Sequence, residues 1–348
     1  MERLLTYAEA IREATEQEMA RDPSVFVFGL GVPDFKAVFG TTKGLLAKFG
    51  PDRVSDTPLA EDAMTGVAIG AALAGMRPIH VHARMDYLVL ALNQLVNFAA
   101  KARYMSAGTV AVPMVVRATI GRSWGQGPTH SQGLHAFCMH IPGLKVVAPS
   151  TPHDAKGCLI ESIRDDNPVI FVEHRMLHPQ KGHVPESDYT VPFGKARVAV
   201  TGGDVTLVGI SYMFLECLRA GRLLEDAGIS AEVIDPVSLS PLDTDTILQS
   251  VLKTGRLLVV DTGWTSCGAS AEIVARVAES LPDARAAQLR RMGFEPVTCP
   301  TTRNLEDLFY PNAQRIARMA HGLVRDGDDS WMPPAMEAPE IVQFKGPF

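Results

Sequence analysis

Two acids, Glu61 and Asp62, stand directly before AMTGVAIGAALAG, a run of small and apolar residues that reads as a buried helix closed by Gly75. An ionised carboxylate at the mouth of such a helix is costly unless it is paired or serves a reaction. The ordinary alternative is a first-turn acid favoured by the helix dipole. Asp62 fits that role better than Glu61, because adjacent residues point in different directions. A second candidate lies in the loop GRSWGQGPTHSQG, where Gly121, Gly125, Gly127 and Gly133 allow close backbone approach around His130, Ser131 and Gln132. A histidine on a glycine-rich loop after a strand sits where open α/β sheets bind ligands, and its charge is tuned near neutral pH. A loop histidine with structural partners alone is the competing reading. Tyr87, in HARMDYLVLA, is an aromatic at a strand-to-helix junction, where core packing is the commoner fate.

The elements that must position these residues alternate along the chain. YAEAIREATEQEMARD has helical periodicity, SVFVFGLG is a strand, RPIHVHA follows the small-residue helix as another strand, and LVLALNQLVNFAAKARYM reads as one long helix. VAVPMVVRATIG is a strand entering the glycine loop; LKVVAPS, DAKGCLIESIRDD and PVIFVEHR read as strand, helix and strand. This is the pattern of an α/β protein, with two domains that each hold a mostly parallel sheet and helices on both faces. A first domain over 1–180, a polar, turn-rich linker over 181–203, a second domain over 204–325 and a proline-bearing arm over 326–348 are expected. The arm should lie on the surface or on a partner.

The bulk properties exclude several classes. The chain has 348 residues and a formal net charge of −6, with no basic cluster, so nothing marks it for nucleic acid. No apolar run approaches the roughly 18 residues of a spanning helix, and the first segment reads as an amphipathic helix rather than a signal peptide. Five dispersed cysteines without CxxC spacing argue against a disulfide framework or zinc site and suit a reducing, cytoplasmic setting. His80 and His82 alternate on one strand and can share a face, but two histidines are too few for zinc. His135, His140, His174, His178 and His183 read as structural or exposed. A dinucleotide fold is rejected, because FGLGVPDFKAVFG lacks GxGxxG spacing and GGDVTLVGIS places its glycines before the strand.

The order and spacing of EDAMTGVAIGAALAGMRPI, LNQLVNFAAKARYMSAG, VPMVVRA, THSQ, HIPGLKVVAPSTPHDAKGCLIESIRDDNPVIF, LSPLD, TILQSVLKTGRLLVV and LEDLFYPNAQRI together resemble the β subunit of thiamine-diphosphate-dependent 2-oxo acid dehydrogenases of the pyruvate and branched-chain type. The resemblance spans nearly the whole chain. It implies a pyrimidine-binding domain followed by a transketolase C-terminal-type domain. It also implies that Glu61 shares a proton with N1′ of the cofactor's aminopyrimidine, favouring the imino form that takes the C2 proton from the thiazolium. By the same resemblance Tyr87 falls where an aromatic, usually Phe, stacks on the pyrimidine, and Ala83 is a pyrimidine-side position. His130 matches the histidine that steadies substrate or acyl group and assists transfer to a lipoyl group. A potassium ion, held mainly by carbonyls in some members, maps to Met114, Ser162, Ile163, Asp165 and Asn167.

The family's diphosphate and Mg2+ motif, GDG with a later asparagine pair, does not occur in this sequence. The resemblance places that site on a separate α subunit, which implies a heterotetramer of two α and two β subunits serving a lipoyl acyltransferase. Arg84 and Asp86 depart from the more apolar strand-to-loop segment common in pyruvate enzymes, Arg122 and Trp124 depart from the family's usual loop before HSQ, and DPVSLSPLD departs in the second domain. An arginine near the pocket could read a second anionic group, although exposed arginines are commoner. The function implied is oxidative decarboxylation of a 2-oxo acid with acyl transfer to lipoamide. A two-subunit acyloin synthase or transketolase-like carboligase is the alternative. A non-catalytic scaffold is disfavoured by the presence of Glu61 and His130.

Overall fold

A computed structural model describes residues 3–34, 36, 38–122, 125–283, 287–328, 330–336 and 338–343. The chain divides into two compact units, the first within Met1–Arg122 and Thr129–Phe193, the second within Ser123–Pro128 and Gly194–Pro347. Trp124 lies outside the described residues.

In the first unit, parallel pairing sets the strands in the order Lys145–Val147, Val169–His174, Val115–Ile120, Arg77–His82, Val25–Gly29, Val54–Ser55. Val115–Ile120 and Val169–His174 are buried along their whole length, as strands covered on both faces must be. The order reverses between Val25–Gly29 and Arg77–His82, and a crevice outside the carboxyl ends of such strands is where open α/β sheets take ligands. Close approach there demands glycine: a Cβ on Gly29 would stand 2.3 Å from the carbonyl oxygen of Val81.

Two helices flank the sheet as a tied pair. Tyr7–Arg21 begins with a capping box between Thr6 and Glu9. Its buried Glu18 takes Arg164 at 2.6 Å from helix Pro152–Arg164 and Arg21 at 2.7 Å from its own last turn. Leu4–Thr6 pairs antiparallel with Lys181–His183, so part of the passage read as linker carries strand.

The long helix expected over LVLALNQLVNFAAKARYM is divided. It runs as a short helix Met85–Leu88, a 3-10 turn Val89–Ala91, a π-helical stretch Gln94–Ala99 and an α-helix Ala100–Met105. Two side-chain hydrogen bonds accompany the break: Asn97 bonds Asn93 at 2.8 Å, and Gln94 reaches Asp62 at 3.2 Å. Such π-bulges gather at functional sites.

In the second unit the strand order is Gln288–Phe294, Arg256–Trp264, Val205–Gly209, Ala231–Asp235, Arg197–Val200, parallel except for the last pair. Helix Thr244–Thr254 is capped by Asp243 and stopped by Gly255 at φ +67°. Phe294, Cys299, Phe309 and Tyr310 form an aromatic core that Trp264 completes. In the C-terminal segment, helix Pro339–Gln343 is tied to this unit by Glu340, which accepts from Arg219 at 2.8 and 2.9 Å and from Tyr212 at 2.5 Å.

Candidate active site

Three loops at the carboxyl ends of the first unit's parallel strands carry the residues singled out by chemistry. Glu61 follows Val54–Ser55, Ala83 and Tyr87 follow Arg77–His82, and His130 follows Val115–Ile120. Glu61 is the first residue of helix Glu61–Leu73, whose N-cap Ala60 offers no side-chain oxygen to the first-turn amides. The positive end of the helix dipole therefore faces an uncapped site with a carboxylate beside it. Glu61 is half-buried, and among the described residues its carboxylate has no hydrogen-bond or ion-pair partner. Asp62 behaves as the ordinary first-turn acid: it is exposed and accepts from Gln94.

Tyr87 and His130 meet. The phenolic oxygen lies 3.2 Å from His130 Nε2, and the rings cross edge-to-face at 5.4 Å and 75°. Thr129 Oγ1 lies 3.0 Å from His130 Nδ1, so both ring nitrogens have partners. One residue along on one loop and two along on the other, Asp86 Oδ1 accepts from the Gln132 side chain at 2.8 Å and from its backbone N–H at 3.2 Å. Two independent clamps thus join the Tyr87 turn to the His130 loop. The Asp86–Gln132 clamp was not foreseen, although Asp86 stood out as a departure near the site and Gln132 as a neighbour of His130.

Several buried polar atoms at this end of the sheet lack a protein partner among the described residues. Asp86 Oδ2, Ser131 Oγ and His82 Nε2 are buried without a hydrogen bond among the described residues. Native proteins satisfy nearly all such atoms, so these three, spread over a strand end, a short helix and a loop, are open to a water or a ligand. His80 and His82 do share a face: their rings stand 4.3 Å apart, and His80 stacks on Phe28 at 4.6 Å. His80 Nδ1 lies 3.3 Å from Thr65, one helical turn beyond Glu61. Burial pushes His82 down to about 4, and burial followed by His82 pushes His80 well below its usual value. Both are neutral at physiological pH.

The arginines are buried rather than exposed. Arg84 and Arg122 are only 6% and 8% accessible. Arg84 donates to the Gly121 carbonyl at 3.4 Å, and Arg84 and Arg175 both lie over the Phe39 ring, at 5.7 and 4.5 Å. Burial, then the neighbouring Arg84 charge, lowers Arg175 to about 9. His174 is held well below its usual value by burial and then by the charges around it. A Cβ on Gly121 would stand 2.1 Å from His174 Nε2, so the turn into the glycine loop, at φ +90°, requires glycine twice over.

Beneath the His130 loop, Arg117 and Glu173 on adjacent strands form a fully buried bidentate pair at 2.6 and 3.1 Å, and His178 Nε2 lies 3.2 Å from the same carboxylate. Burial raises the Glu173 carboxyl, but the Arg117 charge and the hydrogen bonds outweigh it and hold the group at about 2. This pair was missed in the sequence. Its signal was a charged residue in each of two otherwise apolar strands, VVRATI and VIFVEH.

The five positions assigned to potassium meet at one corner of the first unit. Val169 N–H donates to the Met114 carbonyl at 3.0 Å, and Val112 N–H donates to Asp166 at 3.2 Å. These bonds set the Met114 segment against the turn that follows Ser162 and Ile163. Arg77 donates to the carbonyls of Ile163 and Asp165 at 3.0 and 3.1 Å, while Asn167 bonds the Asp165 side chain at 2.8 Å. Among the described residues no group of three or more His, Cys, Asp or Glu side chains is arranged to hold a metal.

Both units have the architecture of thiamine enzymes. The transketolase pyrimidine-binding domain family matches residues 3–181, and the transketolase C-terminal domain family matches residues 194–316. A split-gene transketolase, solved as an inactive β4 tetramer, shares the fold at TM-score 0.75 and 20% identity, over 93% of this chain and 99% of that one. Sequence relatives narrow the class. The β subunit of acetoin:2,6-dichlorophenolindophenol oxidoreductase from Cupriavidus necator is 44% identical over 94% of this chain and 99% of its own length. The pyruvate dehydrogenase E1 component β subunit from Rickettsia felis is 41% identical over 90% and 96%. The chain belongs to this family, the E1-type β subunits of thiamine-diphosphate-dependent 2-oxo acid dehydrogenases.

Proposed function

We propose that this chain supplies the pyrimidine-side half of a thiamine-diphosphate active site in a two-α two-β enzyme that decarboxylates a 2-oxo acid and passes the acyl group to lipoamide. The observation that carries the reading is the Glu61 carboxylate, half-buried at an uncapped helix N-terminus and unpaired among the described residues. A carboxylate kept without a partner in that setting is available to a nitrogen heterocycle, and the residues fit the aminopyrimidine. Glu61 would hold a proton at the ring nitrogen N1′, Tyr87 would face the ring, and Ala83 would leave room beside it. The cofactor supplies the electron sink for decarboxylation when bound. His130 would steady the acyl group's oxygen and exchange a proton with the incoming acceptor.

The diphosphate and its Mg2+ would be gripped by the α subunit, since GDG with an asparagine pair does not occur in this sequence. A lipoyl acyltransferase would receive the acyl group. A potassium ion fits the Met114–Asn167 corner: a carbonyl oxygen has two lone pairs, so Ile163 and Asp165 can accept from Arg77 and still ligate an ion. All five cysteines are free thiols, which suits a cytoplasmic enzyme. No helix among the described residues is long and apolar enough to cross a membrane.

A second reading keeps the cofactor and changes the carbonyl partner, with an acyloin made or cleaved instead of an acyl group moved to lipoamide. The 44% identity to an acetoin oxidoreductase β subunit favours it. Reconstitution with the α subunit separates the two. Reductive acylation of a lipoyl domain from a 2-oxo acid supports the first reading, whereas acyloin turnover without lipoyl acylation replaces it with the second.

A further inference from the structure

We propose that Tyr87 is a positioning residue for His130, its phenol fixing which ring nitrogen carries the imidazole proton. The phenolic oxygen stands 3.2 Å from Nε2, and Thr129 Oγ1 stands 3.0 Å from Nδ1. Either hydroxyl can donate or accept, so contact alone leaves two arrangements. Acidity decides between them. A phenol is a far stronger acid than an aliphatic alcohol, so the Tyr87 O–H donates to Nε2, and Nδ1–H donates to Thr129. The neutral ring is thereby held in the tautomer with its proton on Nδ1 and a basic lone pair on Nε2.

The surroundings make this a device rather than a chance contact. The edge-to-face crossing at 75° aims the phenol at the ring edge instead of stacking it on the face. The Asp86–Gln132 bonds fix the same two loops without help from Tyr87. The spacing between the phenol and the imidazole is therefore set by the scaffold. Nε2 has one lone pair, so the phenol O–H turns away as an acceptor thiol or hydroxyl gives its proton there, and the phenolic oxygen then accepts from the new Nε2–H. The resulting imidazolium keeps both partners. A phenylalanine would present the same ring and lose this switch.

The inference rests on the proposed reaction only for its kinetic consequence; the tautomer is a property of this chain. The experiment is therefore in two parts, each comparing wild type with Tyr87→Phe. In the first, the full-length chain is labelled with 15N-histidine, and long-range proton–nitrogen spectra are recorded on the alkaline side of the His130 titration. The wild type is expected to show His130 as the Nδ1–H form and Tyr87→Phe a mixture of tautomers; the same tautomer ratio in both overturns the proposal. In the second, the α–β enzyme is assayed for acyl transfer in the wild-type and His130→Ala backgrounds. Loss of the phenol should cost about tenfold in kcat with KM for thiamine diphosphate unchanged, and less than about twofold once His130 is gone. An equal loss in both backgrounds would assign Tyr87 a role independent of His130. Should the enzyme prove to turn over an acyloin instead, the spectra still decide the tautomer.

Discussion

Two glutamates in the first unit contrast a side chain saturated by the fold with one that the fold leaves available. Glu173 is fully enclosed and saturated: Arg117 grips both its oxygens and His178 adds a further contact. Glu61, on a neighbouring loop, is half-buried beside an uncapped helix end and has no partner among the described residues. The first has its charge balanced within the fold, so nothing remains for a ligand. The second keeps its charge available. Saturation, more than burial, separates a carboxylate that holds the sheet from one that can do chemistry.

The contrast predicts opposite effects of the same substitution. Glu61→Gln should lower turnover by about 10³-fold or more while leaving the thermal midpoint within about 2 °C, because no native contact is lost. Steady-state kinetics and calorimetry on the α–β assembly read both quantities. Glu173→Gln should do the reverse at the level of folding. It leaves Arg117 buried beside a neutral amide and should cost about 3–5 kcal/mol, read as a lowered urea midpoint of the full-length chain. An unchanged midpoint would remove Glu173 from the structural class.

The same pair fixes a pH dependence. Glu173 is held at about 2 in the folded chain against an ordinary value of 4.5, so its stabilisation is complete above the ordinary value. It should fade as pH falls from about 4.5 toward about 2. The gap in urea midpoint between wild type and Glu173→Gln should therefore narrow on acidification. A gap that widened would reverse the sign of the linkage.

Much of this contrast could be read in the sequence. The acid before a small-residue helix and the histidine on a glycine-rich loop follow from local rules about helix ends and strand-to-loop junctions. The divided helix did not, because apolar periodicity does not register a local change from α- to π-type backbone bonding over Gln94–Ala99. Nor did Arg117–Glu173, whose members are 56 residues apart in sequence and meet only because their strands are adjacent. The burial of Arg84 and Arg122, left open between a pocket role and the commoner exposed one, could not be decided for a related reason. Exposure is the usual fate of arginine, and only the fold brings Phe39 beneath both Arg84 and Arg175.

Smaller effects refine the distinction. Asp86→Ala removes the clamp on Gln132 and should cost about 1–2 kcal/mol, with a raised KM for thiamine diphosphate as the Tyr87 and His130 loops loosen. A raised KM without loss of stability would make Asp86 a ligand group instead of a clamp. Smallest of all, replacing sodium by potassium should raise the thermal midpoint by a few degrees if the Met114–Asn167 corner binds the ion. No difference between the two salts would leave that corner to Arg77 alone.

The decisive measurement is exchange of the C2 proton of bound thiamine diphosphate for deuterium, followed by NMR after acid quench in the α–β assembly. An unsaturated Glu61 that holds the proton at N1′ predicts exchange slowed by about 10²–10⁴-fold in Glu61→Gln, with cofactor still bound. Exchange at the wild-type rate in that variant would show that activation of the cofactor does not pass through this carboxylate.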